Sequence, residues 1–165
     1  MKYLKFFLLI FILNSCTNKE PEVTTYYLIR HAEKDRTDKN NKNPNLTEKG
    51  KQRATNWAKT FKNIDFDFVY STNYNRTIQT ATPTATTKNL DIIFYNPKEM
   101  FDTDFQKKTK GKTVLVVGHS NSTPQFVNKI LDDNKYEQIS DDNNANLYIT
   151  TITNGVKNST LLKID

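Results

Sequence analysis

The chain has 165 residues, of which 24 are basic and 18 are acidic, and its formal net charge is +6. The single cysteine, Cys16, excludes an internal disulfide, so the fold must depend on its hydrophobic core. The basic surplus is mostly lysine, which favours a solvated surface and is compatible with anionic substrates or lipid head groups. No stripe of interleaved basic and aromatic residues points to nucleic acid, which we do not expect as a partner.

The N-terminal segment is typical of a secretory signal. Lys2 and Lys5 precede an apolar run over residues 6–13. This run is too short to span a bilayer as a permanent helix.

The segment ends in LNSC (13–16), which resembles the lipobox of bacterial lipoproteins, where the cysteine is lipidated and becomes the mature N-terminus. We therefore expect a lipoprotein signal peptide at 1–15, a lipidated tether at 16–23 and one domain at 24–165. This arrangement predicts a membrane-anchored protein outside the cytoplasm. The alternative is a plain secretory signal with a chance cysteine.

Apolar runs rich in β-branched residues alternate with stretches of helical periodicity in the rest of the chain. The predicted strands are 24–30, 67–71, 90–95, 112–119, 146–152 and 159–164, and the predicted helices are 47–62, 74–87, 101–109 and 124–132. The remaining long segments, 34–45 and 133–145, are polar and predict loops.

The alternation predicts a three-layer α/β/α domain with a mostly parallel central sheet. Asn154-Gly155 is a strong hairpin signal between the last two strands, so we expect an antiparallel C-terminal hairpin at one edge. For the helices, we expect Asn73 to cap the second, Pro83 to kink or stop it, and Thr123 to cap the last.

Several chemically active residues follow the ends of predicted strands. Arg30 and His31 end the first strand, Arg76 lies in the first turn of the helix after the second, and His119 ends the fourth. Ligand sites in open α/β sheets lie beyond the carboxyl ends of the strands. We therefore expect these four side chains to converge at one edge of the sheet.

Two arginines and two histidines together favour phosphoryl chemistry. Guanidinium groups bind phosphate oxygens through paired, charge-assisted hydrogen bonds, and a neutral imidazole is a competent nucleophile near pH 7. A zinc site is disfavoured, because two histidines without a cysteine, beside arginines, suit an anion better than a cation. The alternative for either histidine alone is a hydrogen-bonded structural role.

Four segments resemble the histidine phosphatase superfamily, also called the phosphoglycerate mutase-like family. They are LIRHAEK (28–34), LTEKGKQRA (46–54), YSTNYNRTIQTA (70–81) and VLVVGHSN (114–121). They occur in the family's order between about residues 24 and 132, although Ala32 stands where glycine is commonest.

The resemblance implies that His31 is the phosphorylated nucleophile and that no metal or organic cofactor takes part. It implies that Arg30 and Arg76 bind the phosphoryl group and that His119 adds a contact. Amides near Thr123 are a further candidate source of positive charge.

The general acid is less well defined than the nucleophile. The family commonly takes it from a carboxylic acid after the third strand or beside the second histidine. Glu99 is the best-placed candidate, followed by Asp102 and Asp104, unless all three are ordinary surface acids and the protein has no dedicated acid. Glu33 is a candidate for orienting the nucleophile or pairing with a basic residue.

The leading interpretation is a lipid-anchored phosphatase that hydrolyses small phosphorylated substrates through a phosphohistidine on His31. A non-catalytic phospholigand-binding lipoprotein is the alternative from another class. A phosphoglycerate mutase-type phosphotransferase is a third hypothesis, disfavoured because we expect such enzymes to be longer and to act in the cytoplasm.

Overall fold

The computed structural model describes residues 21–164, which form four helices and six strands. In chain order these are β1 (Val23–Arg30), α1 (Glu48–Thr60), β2 (Phe68–Ser71), α2 (Asn75–Lys88), β3 (Ile92–Phe94), α3 (Thr103–Thr109), β4 (Thr113–Gly118), α4 (Ser122–Leu131), β5 (Asn146–Thr153) and β6 (Val156–Lys163). The predicted signal peptide at 1–15 and Cys16 lie outside this range. Within it, no helix has the length and apolar character needed to cross a membrane.

The strands form one mixed sheet in the order β3-β2-β4-β1-β5-β6. The four strands from β3 to β1 pair in parallel, while β5 is antiparallel to both β1 and β6. Asn154 and Gly155 form the tight turn between β5 and β6, with φ of 51° and 82°. The predicted parallel sheet with an antiparallel hairpin at one edge is confirmed.

Alternate residues of the central strands point to opposite faces of the sheet, as the pleat requires. Leu28 and Val116 pack on one face with Phe126 of α4, in a cluster that α3 also covers. Ile29 packs on the other face with Trp57 of α1, in a cluster that includes buried residues of α2. The sheet is therefore covered on both sides, which gives the three predicted layers.

The second helix differs from the prediction at Asn73, and of the two outcomes expected at Pro83 the structure excludes the stop. The N-cap is Tyr74, and the helix runs through Pro83 to Lys88 without stopping. Proline removes one backbone donor. Ala81 and Ala85 are buried on either side of it, so packing against the sheet holds the helix together across the gap.

The last helix begins at Ser122, earlier than predicted, and its N-cap is Asn121, so Thr123 is not the cap. The Thr123 amide donates to the His119 carbonyl at 3.0 Å, while the Ser122 hydroxyl accepts from the His119 amide at 3.0 Å. The chain therefore turns into the helix directly after β4, which fixes the backbone on both sides of His119.

Candidate active site

The structure brings Arg30, His31, Arg76 and His119 to one cavity of about 310 Å³ at the carboxyl edge of the sheet. The centroids of the two imidazole rings are 5.6 Å apart. The four side chains come from β1, α2 and the end of β4, and they meet although they are far apart in the chain. Their catalytic roles stay predictions.

The backbone around the first histidine is held from three directions. The His31 amide donates to the Gly118 carbonyl at 2.9 Å, and the Asn144 side-chain amide donates to the His31 carbonyl at 2.8 Å. The Ala32 amide donates to the Thr80 hydroxyl at 2.9 Å. The end of β1 is thus fixed by β4, by α2 and by the loop before β5.

Hydrogen bonding defines which nitrogen of His31 carries the proton. Nδ1 lies 2.7 Å from the Ala32 carbonyl oxygen, which only accepts, so Nδ1 is the protonated nitrogen. Burial, followed by the charges of Arg30, His119 and Arg76, lowers the pKa of His31 to about 3, although the hydrogen bond to Ala32 acts in the opposite direction. The ring is therefore neutral at neutral pH, and Nε2 carries the lone pair a nucleophile needs.

A chain of hydroxyl groups sets the tautomer of His119. The Thr77 hydroxyl donates to the backbone carbonyls of Thr72 and Tyr74, at 2.8 and 2.9 Å, and accepts from the Thr72 hydroxyl at 3.0 Å. Since the Thr72 proton is used in this way, its oxygen accepts from His119 Nε2–H at 2.9 Å. Burial, followed by the charges of Arg76 and Lys34, lowers the pKa of His119 to about 4, so this ring is also neutral.

The two arginines keep donors free for a ligand. Arg30 is 2% exposed; its Nη1 donates to the carbonyls of Ser140 and Asn143, and its Nη2 donates to Asp141. The Nε atoms of Arg30 and Arg76 are buried without a hydrogen-bond partner among residues 21–164. Both guanidinium groups line one cavity and each has an unpaired buried donor, which favours an anion there, because buried donors are normally paired.

Sequence reasoning missed several residues that line the cavity. The Tyr74 ring lies 4.5 Å from the Arg76 guanidinium carbon and 5.2 Å from the His119 ring. The other unpredicted lining residues are Lys34, Pro97, Ser120, Asn121, Ser122 and Asp141. Tyr74 lies between the strand end and Arg76 in sequence, a spacing that could have drawn attention to it. Asp141 falls in a polar loop that carries no such signal.

The predicted acids do not reach this cavity. Glu99 lines a different cavity, together with Asp102 and Asp104. Asp102 caps α3, since its carboxylate accepts from the Phe105 amide at 2.8 Å. Among the described residues, Asp141 supplies the only carboxylate that lines the cavity of the two histidines.

Glu33 has a structural partner in the second turn of α1. Its carboxylate oxygens accept from Arg53 Nε at 2.9 and 3.1 Å, so Glu33 does not orient His31.

Within residues 21–164, no group of three or more His, Cys, Asp or Glu side chains is placed to hold a metal ion.

The LTEKG segment is explained by the contact between α1 and the chain after His31. The Thr47 hydroxyl caps α1 by accepting from the Gly50 amide at 3.1 Å, and the Thr47 amide donates to the Glu33 carbonyl at 2.9 Å. A Cβ at Gly50 would lie 2.2 Å from that same carbonyl oxygen. Glycine is therefore required for the helix to approach the strand end so closely.

Residues 26–96 match the family model of the histidine phosphatase superfamily (branch 1). No protein among those with curated descriptions matches the sequence significantly. Similar solved structures include a phosphoserine phosphatase variant from Entamoeba histolytica in complex with phosphoserine, with 18% identity and a TM-score of 0.65 over 83% of this chain and 95% of that chain.

Phosphoglycerate mutase from Bacillus anthracis str. Sterne has 16% identity and a TM-score of 0.65, over 86% of this chain and 93% of that chain. A mycobacterial glucosyl-3-phosphoglycerate phosphatase has 9% identity and a TM-score of 0.66, over 87% and 100% of the two chains. At these identities the likeness establishes the fold and leaves the substrate open. The family match and the shared fold confirm the resemblance to the histidine phosphatase superfamily that the motifs indicate.

Proposed function

We propose that the chain is a phosphohydrolase that cleaves phosphate esters or related phosphoryl compounds through a phosphohistidine on His31. The observation that carries the proposal is the hydrogen bond from His31 Nδ1 to the Ala32 carbonyl, 2.7 Å long. It leaves Nε2 of His31 unprotonated, and the cavity that His31 lines is also lined by two arginines. One site thus combines a nucleophile with two cationic groups that can bind the phosphoryl oxygens.

In the first step, Nε2 attacks phosphorus and the bond from phosphorus to the leaving group breaks. The guanidinium groups of Arg30 and Arg76 neutralise charge on the phosphoryl oxygens in the transition state. In the second step, water attacks phosphorus and the bond from Nε2 to phosphorus breaks, so that the electron pair returns to Nε2, a water proton passes to solvent, and inorganic phosphate and the neutral imidazole are left. Both steps transfer one phosphoryl group and need no external oxidant or reductant.

Leaving-group chemistry narrows the substrate class. Hydrogen bonding and the charge of Arg36, followed by the charge of Arg30, hold the pKa of Asp141 below its usual value, so this carboxylate is ionised and lacks a proton to donate. Glu99, the acid expected from the sequence, lines another cavity. We therefore propose that the enzyme favours good leaving groups, such as those of phosphoramidates and acyl phosphates.

Two other functions remain as alternatives. The position of Glu99, outside the cavity of the two histidines, favours a non-catalytic phospholigand-binding protein, which would need no general acid. A phosphoglycerate mutase-type phosphotransferase is the other. Chain length does not argue against it, because the alignment covers 93% of the phosphoglycerate mutase chain.

The test uses p-nitrophenyl phosphate and phosphohistidine as substrates, with and without EDTA. The proposal predicts turnover that resists EDTA and is lost in His31→Ala. Thr84→Val, a buried change on α2 away from the cavity lining, serves as the matched control and keeps activity. Phosphate binding without turnover would support the non-catalytic alternative and contradict the hydrolase.

We also propose that the protein is anchored outside the cytoplasm through a lipid on Cys16. The support is the sequence of the segment at 13–16, which lies outside the described residues. The eight residues of β1 separate the tether from the catalytic edge by roughly 25 Å at the rise of an extended strand. Radiolabelled palmitate incorporation and membrane fractionation test the anchor, with Cys16→Ser as the control expected to lose both.

A further inference from the structure

The Asp141 carboxylate contacts the guanidinium group of Arg30, which a phosphoryl ligand would also bind. Its Oδ1 lies 3.1 Å from Arg30 Nη2. Arg30 Nη1 is already engaged by two backbone carbonyls and Nε is buried, so Nη2 is the nitrogen left to serve an incoming anion. A guanidinium N–H donates a charge-assisted hydrogen bond to a phosphoryl oxygen. An anion that approaches Nη2 therefore meets the Asp141 carboxylate.

Asp141 has a second cationic partner away from the cavity lining. Arg36 Nη1 lies 3.3 Å from Asp141 Oδ2, and Arg36 Nη2 donates to the Asp141 backbone carbonyl at 3.3 Å. The side chain of Asp141 is 74% exposed, whereas that of Arg30 is 3% exposed. The carboxylate is thus weakly packed and can leave one arginine while keeping the other, and Arg30 itself is fixed.

We propose that Asp141 is an exchangeable counter-ion of Arg30 that sets the charge selectivity of the pocket. A phosphoryl dianion displaces the carboxylate from Arg30 Nη2, and Asp141 stays paired with Arg36. The inference rests on the proposed function only in requiring that a phosphoryl group binds at Arg30. A monoanion gains less electrostatic interaction energy from Arg30 than the displaced carboxylate loses, so the pocket favours dianions. When no ligand is bound, Asp141 neutralises the charge of Arg30.

The test is calorimetric titration of inorganic phosphate into the full-length chain at pH 8. Asp141→Asn removes the competing charge and lowers the Kd for phosphate by roughly tenfold, as expected for one nearby charge at a partly exposed site. Asp142→Asn is the matched control, because it removes the same charge from the next residue, which does not line the cavity. Its Kd stays within about twofold of the wild-type value, since Arg30 hydrogen-bonds to Asp141 but not to Asp142 within residues 21–164, and an exposed charge without such a contact is strongly screened.

A second pair of variants tests the role of Arg36. Arg36→Gln raises the Kd for phosphate, because the displaced Asp141 carboxylate then has no cationic partner. This increase in Kd is larger in the wild-type background than in Asp141→Asn, which has no carboxylate to displace. Asp141→Ala repeats the Asp141→Asn result with a different side chain, and thermal unfolding checks that each variant is folded.

The outcomes separate this inference from the proposed function. Tighter binding in both Asp141 variants, with no change in Asp142→Asn, supports the exchange. Unchanged or weaker binding in the Asp141 variants, or an equal gain in Asp142→Asn, overturns it while leaving the phosphate site intact. Failure of the wild-type chain to bind phosphate at all contradicts both proposals.

Discussion

The Thr80 hydroxyl links α2 to the end of β1, and its removal tests how the site is held. It accepts from the Ala32 amide at 2.9 Å and donates to the Arg76 carbonyl at 2.6 Å. Thr80→Val keeps the shape of the side chain but leaves a completely buried amide without an acceptor. Such a loss costs about 1–3 kcal/mol of the free energy of unfolding. For a domain of this size, that lowers the Tm by about 2–12 °C.

Thr84→Val is the control, one turn further along the same helix. Its hydroxyl is buried and has no hydrogen-bond partner within residues 21–164, so replacing it with a methyl group should leave the Tm unchanged or raise it. Calorimetric unfolding of the two variants, with kcat measured in parallel, gives the comparison. We expect Thr80→Val to lose both stability and activity, because Ala32 follows the nucleophile directly. Equal Tm values for the two variants would refute the reasoning.

Three further predictions concern the motif glycine, the general acid and the two histidines. Gly50→Ala forces a Cβ against the Glu33 carbonyl and lowers the free energy of unfolding in urea by about 1–3 kcal/mol, whereas Gln52→Ala on the exposed face of α1 does not. Glu99→Gln lowers kcat by much less than the roughly hundredfold that removal of a general acid causes. A hundredfold loss would show instead that Glu99 is the general acid. The pKa values of His31 and His119, about 3 and about 4, lie below the ordinary 6.5, so the unfolded state binds more protons between these limits. The free energy of unfolding therefore falls as pH decreases from 6.5 towards 4, and it falls less steeply in a His31→Gln/His119→Gln double variant; equal slopes would contradict the assigned pKa shifts.

Most of the fold can be predicted because its local signals agree with its packing. The run before Gly118 is nearly continuous in Val and Leu, and β4 lies in the middle of the sheet with both faces covered. Asn154-Gly155 specifies a turn whose geometry the structure adopts. Since strand ends define one edge of a parallel sheet, the meeting of His31 and His119 also follows from sequence alone.

The differences arise where tertiary contacts decide the outcome. Pro83 is expected to kink or stop α2 by its local chemistry, but buried residues on both sides keep the helix from stopping there. The position of Asp141 depends on how the loop at 133–145 folds back over Arg30, and a polar loop without periodicity gives no indication of that path. Glu99 follows β3 and is therefore the acid that the family resemblance predicts at the site, but the turn after that strand places it along another cavity.

The most direct test of the account is to trap the covalent intermediate. The full-length chain is mixed with a phosphoryl donor, quenched under alkaline conditions that preserve phosphohistidine, and digested for mass spectrometry. We expect an acid-labile phosphoryl group on the peptide that contains His31, absent from His31→Ala. A phosphoryl group on any other residue, or turnover that persists in His31→Ala, would contradict the nucleophilic role of His31.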